Sequence, residues 1–378
     1  MRTWFLRILM LCLVLAGIFG AYAALSGRVY LFKAVWYNFA DIDDYKIFSN
    51  NAIAPGTAQP WVPAVRYNQV QMTDPLAGLL QDLSTVGLVV IKDDSLLYES
   101  YWDGYSDSSI SGSFSMAKSI TSLLMGAALK SGQIQSLDQP VGDFLPEFRE
   151  GRKAKARIID LLTMSSGSDW DESYINPFSV TTEIYYGSDA YKTATGVHIV
   201  HDPGTLFAYK SGDTQLLGLI LEKATGESLS QFAAEKLWQP LGAEHQALWS
   251  TDHPGGNEKA YCCFNSNARD FARIGQLMLD SGRWKGQEII SQQYFRKSVS
   301  PCGIADRSGK PCHYYGLQWW IDPHLPSVFY ARGILGQYII VIPAKREVIV
   351  RLGKRTSMHR KDTVPQEVDS LVAWGMTL

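Results

Sequence analysis

The sequence has no excess of charge of one sign. Its 35 lysines and arginines balance 37 aspartates and glutamates, which gives the 378 residues a formal net charge of −2. Proteins that bind nucleic acids usually present a strongly basic surface, so we expect no nucleic-acid partner. Internal repeats and low-complexity tracts are also missing. The length and the 46% of hydrophobic residues suit one large domain or two closely packed subdomains.

Metal-binding motifs are absent as well. Neither Cys-x-x-Cys nor His-Glu-x-x-His occurs among the five cysteines and seven histidines. His198 and His201 are close in sequence but have no obvious companion ligands. We therefore predict no metal site.

The few cysteines leave room for at most two disulfides. Cys302 and Cys312 flank a short loop, which a disulfide between them would close in an oxidising compartment, although two free thiols are an equal alternative. Cys262 and Cys263 are adjacent, and neighbouring cysteines bridge only with strain. We expect that pair to be structural and unbridged, while Cys12 lies in an apolar segment.

That apolar segment, residues 8–25, follows Arg2 and Arg7 and ends in small residues. The pattern is typical of a secretory signal peptide. The run is also long enough to span a bilayer, and the aromatic and basic residues of 28–37 suit a membrane interface. Residues 1–25 are thus a cleaved signal peptide or a retained membrane anchor. Either alternative predicts an exported body, periplasmic or held at the outer face of the inner membrane.

The rest of the chain has strands at both ends and helices between them. Residues 26–75 contain four prolines within 55–75 and suggest an irregular arm or linker before a body at 76–378. The patterns predict a β-hairpin at 87–92 and 96–101, helices between 115 and 281, strands at 316–321, 328–332, 338–342 and 347–352, and a helix at 365–375. We predict an α+β fold, in which one antiparallel sheet from both chain ends is flanked by helices and a mostly helical subdomain is inserted.

Ser115-Met116-Ala117-Lys118 stands where a polar loop turns into an apolar helix. Residues i and i+3 of a helix share a face, so the amine lies beside the hydroxyl. A partly desolvated lysine can take the proton of a serine and make it a nucleophile. The plainer alternative is an ordinary helix start with a solvated lysine. Apolar spacing over 120–128 indicates a buried helix and favours the first interpretation.

Two further segments supply what a serine–lysine pair would need. Tyr209 precedes a helix that Asp213 can cap, and beside an ammonium its pKa would fall so that it could pass protons near neutral pH. Gly333 and Gly336 lie between two predicted strands, where a backbone N–H could complete an oxyanion hole with that of Ser115. The plain alternatives are a surface tyrosine and a glycine-containing turn.

The order of these segments resembles the serine β-lactamase and penicillin-binding-protein superfamily, whose first motif is Ser-x-x-Lys. It is most similar to the branch with class C β-lactamases, family VIII esterases and 6-aminohexanoate-dimer hydrolases, which have a Tyr-x-Asn or Tyr-x-Ser motif. Segments 161–167, 209–218 and 268–275 add to the similarity with the last type. The resemblance covers roughly residues 75–375 and implies a β-lactamase/DD-peptidase-like fold.

The resemblance also implies roles for individual residues. Ser115 would be the nucleophile, Lys118 its general base and Tyr209 the proton shuttle, with Ser211 supporting that network. The N–H groups of Ser115 and Gln337 would form the oxyanion hole. The reaction would pass through an acyl-enzyme and would need no cofactor.

The sequence departs from the family pattern in the substrate region. Ile334 and Leu335 replace the lysine and threonine of the Lys-Thr-Gly strand motif, in which Gly336 is kept. We therefore expect a hydrolase of small amides or carboxylic esters. The alternatives are a DD-peptidase or weak β-lactamase, and a non-catalytic membrane-tethered binding protein. Candidates for the substrate pocket are Trp170, Tyr185, Tyr186 and Gly336, with core packing as the alternative for the aromatic residues. The oligomeric state stays open.

Overall fold

The computed structural model describes residues 2–378. The helices are α1 (Arg2–Leu25), α2 (Tyr30–Tyr37), α3 (Asp74–Asp82), α4 (Met116–Lys130), α5 (Ile158–Leu162), α6 (Val180–Tyr186), α7 (Ala190–Thr195), α8 (Ser211–Thr225), α9 (Leu229–Ala233), α10 (Ala268–Leu279), α11 (Gln292–Ser298) and α12 (Gln366–Gly375). The strands are β1 (Ser49–Ile53), β2 (Val62–Pro63), β3 (Thr85–Lys92), β4 (Ser95–Tyr101), β5 (Ser111–Gly112), β6 (Ala247–Thr251), β7 (Phe264–Ser266), β8 (Arg283–Trp284), β9 (Gln287–Glu288), β10 (Trp320–Ile321), β11 (Phe329–Gly333), β12 (Gln337–Ile342), β13 (Glu347–Gly353), β14 (Arg360–Lys361) and β15 (Val364–Pro365).

The main sheet joins the two ends of the body. Its seven strands follow the order β10-β11-β12-β13-β3-β4-β2, and all neighbours are antiparallel except β2 and β4. Strand β13 pairs with β3 over its whole length, from Glu347 opposite Lys92 to Gly353 opposite Thr85. The predicted antiparallel sheet from both chain ends is thus confirmed.

Side chains along these strands point alternately to the two faces of the sheet, so the hydrophobic core has one part on each face. Val89 and Val350 belong to the larger core, which includes α4, α8 and α10. Leu88 and Ile349 point to the opposite face, where α3 and α12 cover them. Both faces are therefore buried, as the near-continuous apolar strands require. The predicted α+β class is confirmed.

The segment before the body is more ordered than we expected. Instead of an irregular arm over 26–75, the chain forms helix α2 and strand β1. Strand β1 pairs antiparallel with β6 in a small sheet of order β1-β6-β7-β5. This pairing crosses a long sequence separation, so local composition could not reveal it. Helix α2 packs through Tyr30, Leu31 and Ala34 against the end of α6.

Helix α1 is long and apolar enough to cross a membrane. Most of its side chains are exposed, but its last turn is not free. Ala23 is buried, and the rings of Phe19 and Phe32 of α2 meet edge to face with centroids 5.6 Å apart. Helix α1 is thus joined to the body through α2.

Two sequence expectations differ from the structure near residues 300–321. Only Trp320 and Ile321 of the segment 316–321 form a strand, because Gln318 turns inward with φ 65° and its amide donates to carbonyls at the end of α5. Cys302 and Cys312 are free thiols. Backbone hydrogen bonds already close their loop, from Gly303 N to Cys312 O at 3.1 Å and from Cys312 N to Ile304 O at 2.8 Å.

The disulfide joins Cys262 to Cys263 instead. We expected this adjacent pair to be unbridged. Cys263 has a left-handed backbone with φ 66°, which turns the chain sharply between β6 and β7. The bridge directly follows Tyr261, a residue at the centre of the site described below.

Candidate active site

The serine–lysine pair forms as its spacing predicts. Ser115 is the residue before the first turn of α4, and its Oγ accepts a hydrogen bond from Lys118 Nζ at 2.8 Å. Phe114, with φ 45°, turns the chain from β5 into the helix. Residues held in this region of backbone space cluster at functional sites, where surrounding structure fixes them. Here the turn presents the Ser115 hydroxyl to the lysine.

Lys118 is only 1% exposed, so its charge is poorly solvated. Its ammonium donates a second hydrogen bond to the Tyr261 carbonyl at 2.9 Å and lies 5.1 Å from the centre of the Tyr209 ring. Burial lowers the pKa of Lys118 to about 8, while the negative charge of Glu172 acts to raise it. Near neutral pH, an appreciable fraction of this lysine is therefore the free amine.

Tyr209 stands on the other side of the amine, as predicted, but its pKa moves the other way. Burial is the main cause that raises this pKa, and the Glu172 charge adds to it, whereas the Ser115 hydroxyl and the Arg332 guanidinium act to lower it. The expected lowering by Lys118 does not arise, because this lysine is not among the groups that act on the Tyr209 pKa. Tyr209 is thus a protonated phenol at neutral pH, suited to donate a proton.

Ser211 contacts the carboxylate of Glu172, whose charge acts on Lys118 and Tyr209. The sequence alone did not identify this glutamate. The Ser211 backbone N–H donates to Glu172 Oε2 and its hydroxyl to Glu172 Oε1, both at 2.6 Å. The Tyr174 hydroxyl donates to the same carboxylate. Glu172 lies in the loop 169–174, in which the sequence alone identified only Trp170 as a candidate. The acidic run around Trp170 was the signal that could have revealed it.

A largely apolar cavity of about 560 Å³ opens beside Ser115. Its wall comes from α2 and the segment after it, from residues 174–177, from α6 and from the segment around Tyr261. Tyr185 and Tyr186 lie in this wall, as the sequence predicted, together with Ser211. The Tyr185 hydroxyl donates to Asp44 at 2.7 Å, which fixes its ring. The participation of α2 was not foreseen.

A second cavity of about 690 Å³ lies on the Tyr209 side. It is lined by charged residues such as Glu172 and Arg307 as well as by Trp170. The Trp170 indole is fixed, because it donates to Thr181 Oγ1 at 3.0 Å and packs directly on Gly212 at the start of α8. Trp170 thus lines this neighbouring cavity and not the apolar one.

The end of strand β11 approaches the nucleophile closely. A Cβ atom added to Gly333 would lie 2.2 Å from the Ser113 carbonyl oxygen, so only glycine fits there. The next two residues, Ile334 and Leu335, line the apolar cavity with Ser115. The backbone that faces the serine is therefore at 333–335.

Gln337, expected at the oxyanion hole, and Gly336, expected at the substrate pocket, are not among the residues that line the apolar cavity. Gln337 is fully buried at the start of β12, and its side-chain amide donates to the Gly353 carbonyl at 2.6 Å. Gly336 has φ 84°, and its carbonyl accepts from the buried guanidinium of Arg351 at 2.7 Å. Both residues stabilise the β11–β12 turn through these hydrogen bonds.

Comparisons with known proteins identify the family of this chain. A 6-aminohexanoate-dimer hydrolase of Paenarthrobacter ureafaciens is 28% identical over 319 residues, 78% of this chain and 79% of the relative. A solved Bacillus anthracis protein, provisionally described as a 6-aminohexanoate-dimer hydrolase, superposes with TM-score 0.75 at 24% identity and covers 89% of this chain and 91% of its own. A family VIII carboxylesterase follows with TM-score 0.64 at 16% identity, over 84% of this chain and 99% of its own. The family model "Beta-lactamase" matches residues 75–372. This chain therefore belongs to the β-lactamase family of serine hydrolases.

Proposed function

We propose that this protein cleaves amide or carboxylic ester bonds of small molecules through an acyl-enzyme on Ser115. The observation that carries the proposal is the 2.8 Å hydrogen bond between Ser115 Oγ and a buried Lys118 whose pKa is lowered to about 8. A serine hydroxyl becomes a good nucleophile when a neighbouring base of matched pKa can take its proton.

Acylation would begin when Lys118 Nζ takes the Ser115 proton and Oγ bonds to the substrate carbonyl carbon. The carbonyl electrons move to oxygen and then return as the bond to the leaving group breaks. Tyr209 gives its phenolic proton to that leaving nitrogen or oxygen and is reprotonated by the Lys118 ammonium, whose amine lies over its ring. The products are the free amine or alcohol and an acyl ester of Ser115.

The negative oxygen of the intermediate needs two N–H donors. The Ser115 amide points from the start of α4, and no backbone acceptor for it occurs within residues 2–378. We assign the second donor to the Ile334 amide in place of that of Gln337, because Ile334 lines the cavity with Ser115.

Deacylation would use the same groups in reverse. Lys118 takes one proton from water, and the hydroxide bonds to the acyl carbon. The bond to Oγ then breaks, and the lysine returns its proton to Ser115. The chain's own residues supply every proton transfer, so the proposed reaction needs no cofactor.

The apolar cavity and the residues that follow strand β11 favour amides or esters over β-lactams or D-alanyl peptides. Ile334 and Leu335 stand at the nucleophile, where the β-lactam-handling pattern has a lysine and a threonine. An aliphatic wall contributes apolar contacts but no partner for a carboxylate. The curated relative named for the 6-aminohexanoate dimer supports an amide among the candidate substrates.

We further propose that the body is exported and works outside the cytoplasm, with α1 as its signal sequence or anchor. The single long apolar helix at the N-terminus supports this location. The disulfide between Cys262 and Cys263 fits an oxidising compartment.

The test is hydrolysis by the purified full chain in detergent and by its Ser115→Ala variant. A butyrate ester, the 6-aminohexanoate dimer and nitrocefin are assayed in parallel, and an acyl adduct is sought by mass spectrometry. We expect ester or amide turnover and a Ser115 adduct that both vanish in the variant. Equal rates for both proteins on all three substrates would refute the hydrolase, and turnover of nitrocefin alone would favour the β-lactamase alternative.

A further inference from the structure

Helix α2 is apolar on two opposite faces. Tyr30, Leu31 and Ala34 pack against the body, whereas Phe32, Val35 and Trp36 point outward at positions i, i+3 and i+4. Trp36 is 82% exposed. A helix that is hydrophobic all round normally lies in a protein core or in a membrane. Phe19 of α1 contacts the Phe32 ring, but Val35 and Trp36 stay largely exposed, so the outward face of α2 still needs an apolar partner.

The loop at 174–178 extends this surface. Ile175 is 86% exposed, and the half-exposed Phe178 ring contacts the Tyr22 ring near the end of α1, with centroids 6.2 Å apart. The Arg28 guanidinium lies 5.9 Å from the centre of the Phe178 ring. We call the exposed side chains of α2 and this loop the apolar rim: Phe32, Val35, Trp36, Phe39, Ile175 and Phe178.

The apolar rim also forms the entrance to the active site. Val35, Phe39 and Ile175 line the cavity that contains Ser115. The same residues are thus exposed on the outside and form the cavity wall on the inside. An apolar molecule that lies along the rim could pass to the nucleophile without crossing a polar surface.

We propose that the apolar rim is embedded in the surface of a lipid bilayer, and that the cavity takes the acyl chain of an amphiphilic ester or amide from that bilayer. The proposal deepens the hydrolase function above and depends on it. Continuity with α1, the one long helix of residues 2–378 that could span a membrane, identifies the bilayer as the partner. Trp36, Tyr37 and the basic Arg28 and Lys33 are the residue types expected at the level of the lipid headgroups.

The first experiment compares two substrates of the full chain in phosphatidylcholine vesicles. One is a soluble butyrate ester and the other a hexadecanoate ester dissolved in the bilayer. Trp36→Glu places a charge on the rim but outside the cavity wall, and we expect it to lower the hexadecanoate rate about tenfold. Its butyrate rate should stay within about twofold of the wild type, because the serine and lysine are untouched. Val65→Glu, at a 98% exposed valine elsewhere, is the matched control and should change neither rate.

A second readout does not depend on activity. Quenching of tryptophan fluorescence by brominated phosphatidylcholine should be smaller in Trp36→Phe than in the wild type, because Trp36 sits among the lipids. Unchanged hexadecanoate hydrolysis in Trp36→Glu, or quenching that Trp36→Phe leaves unaltered, would overturn the membrane proposal. A second copy on the rim would appear as a dimer in detergent that Trp36→Glu dissociates, and that outcome would overturn it too. Failure of the hydrolase function is separate, since Ser115→Ala would then match the wild type on butyrate.

Discussion

Ester hydrolysis should rise with pH along a single titration curve with its midpoint near pH 8. The free amine of Lys118 is the form that accepts the serine proton, and burial lowers its pKa from 10.5 to about 8. At pH 7, about one lysine in ten is then free amine, against about one in three thousand for an unperturbed lysine. Below the midpoint, kcat/KM should fall about tenfold per pH unit, and above pH 9 it should level off.

Glu172→Gln tests the physical cause of this midpoint. The glutamate charge acts to raise the pKa of Lys118, so its removal should move the midpoint to lower pH. Asp171→Asn is the matched control, because it removes a neighbouring carboxylate that is not among the charges acting on Lys118. Titration of the acid released from an alkyl ester in a pH-stat measures both profiles without an ionisable dye. A rate that is flat from pH 6 to 10, or a midpoint that Glu172→Gln leaves in place, would refute the assignment of Lys118 as the base.

Four further substitutions check other parts of the structure. Tyr209→Phe should slow amide hydrolysis by about a hundredfold or more and slow a p-nitrophenyl ester much less, since only the amine must leave with a proton; equal losses would contradict its role as donor. Gly212→Ala places a Cβ 2.3 Å from Trp170 Cε3 and should destabilise the protein by roughly 1–3 kcal/mol in thermal unfolding. Gly78→Ala, in a helix with open space around it, should instead stabilise it by roughly 0.5–1 kcal/mol. Arg273→Met removes the guanidinium that pairs with the buried carboxylate of Asp270 and should cost about 3–5 kcal/mol in urea unfolding; a change below about 1 kcal/mol would refute that ion pair's role.

The parts of this molecule that depend on local sequence were predictable. The start of α4 directly after Ser115 followed from apolar spacing, and the hairpin of β3 and β4 followed from two apolar runs around a short turn. The serine–lysine contact is an i, i+3 pair within one helix, so its geometry needed no knowledge of the rest of the chain.

The parts that depend on distant pairing were not predictable. Strand β1 forms because its backbone pairs with that of β6, which lies far along the chain. Glu172 enters the site because a loop folds back on the start of α8, where it meets Ser211. The pKa of Tyr209 was expected to fall beside a cation, but burial decides its direction, and burial is a property of the complete fold. The burial of Gln337 at the start of β12 likewise depends on how β11 and β12 pair, with Gly333 opposite Gln337.

The pairing of β13 with β3 has a consequence for how the chain folds. Lys92 and Glu347 are partners in the centre of the main sheet, so β3 remains without one neighbour until nearly all of the chain is available. Contacts of such large sequence separation make folding slow, and an apolar strand with an open edge is prone to aggregate meanwhile. A chain that ends before residue 347 would lack the strand that joins the two halves of the sheet. The C-terminal strand is therefore the closing step of assembly, and premature termination there should yield insoluble protein rather than a smaller enzyme.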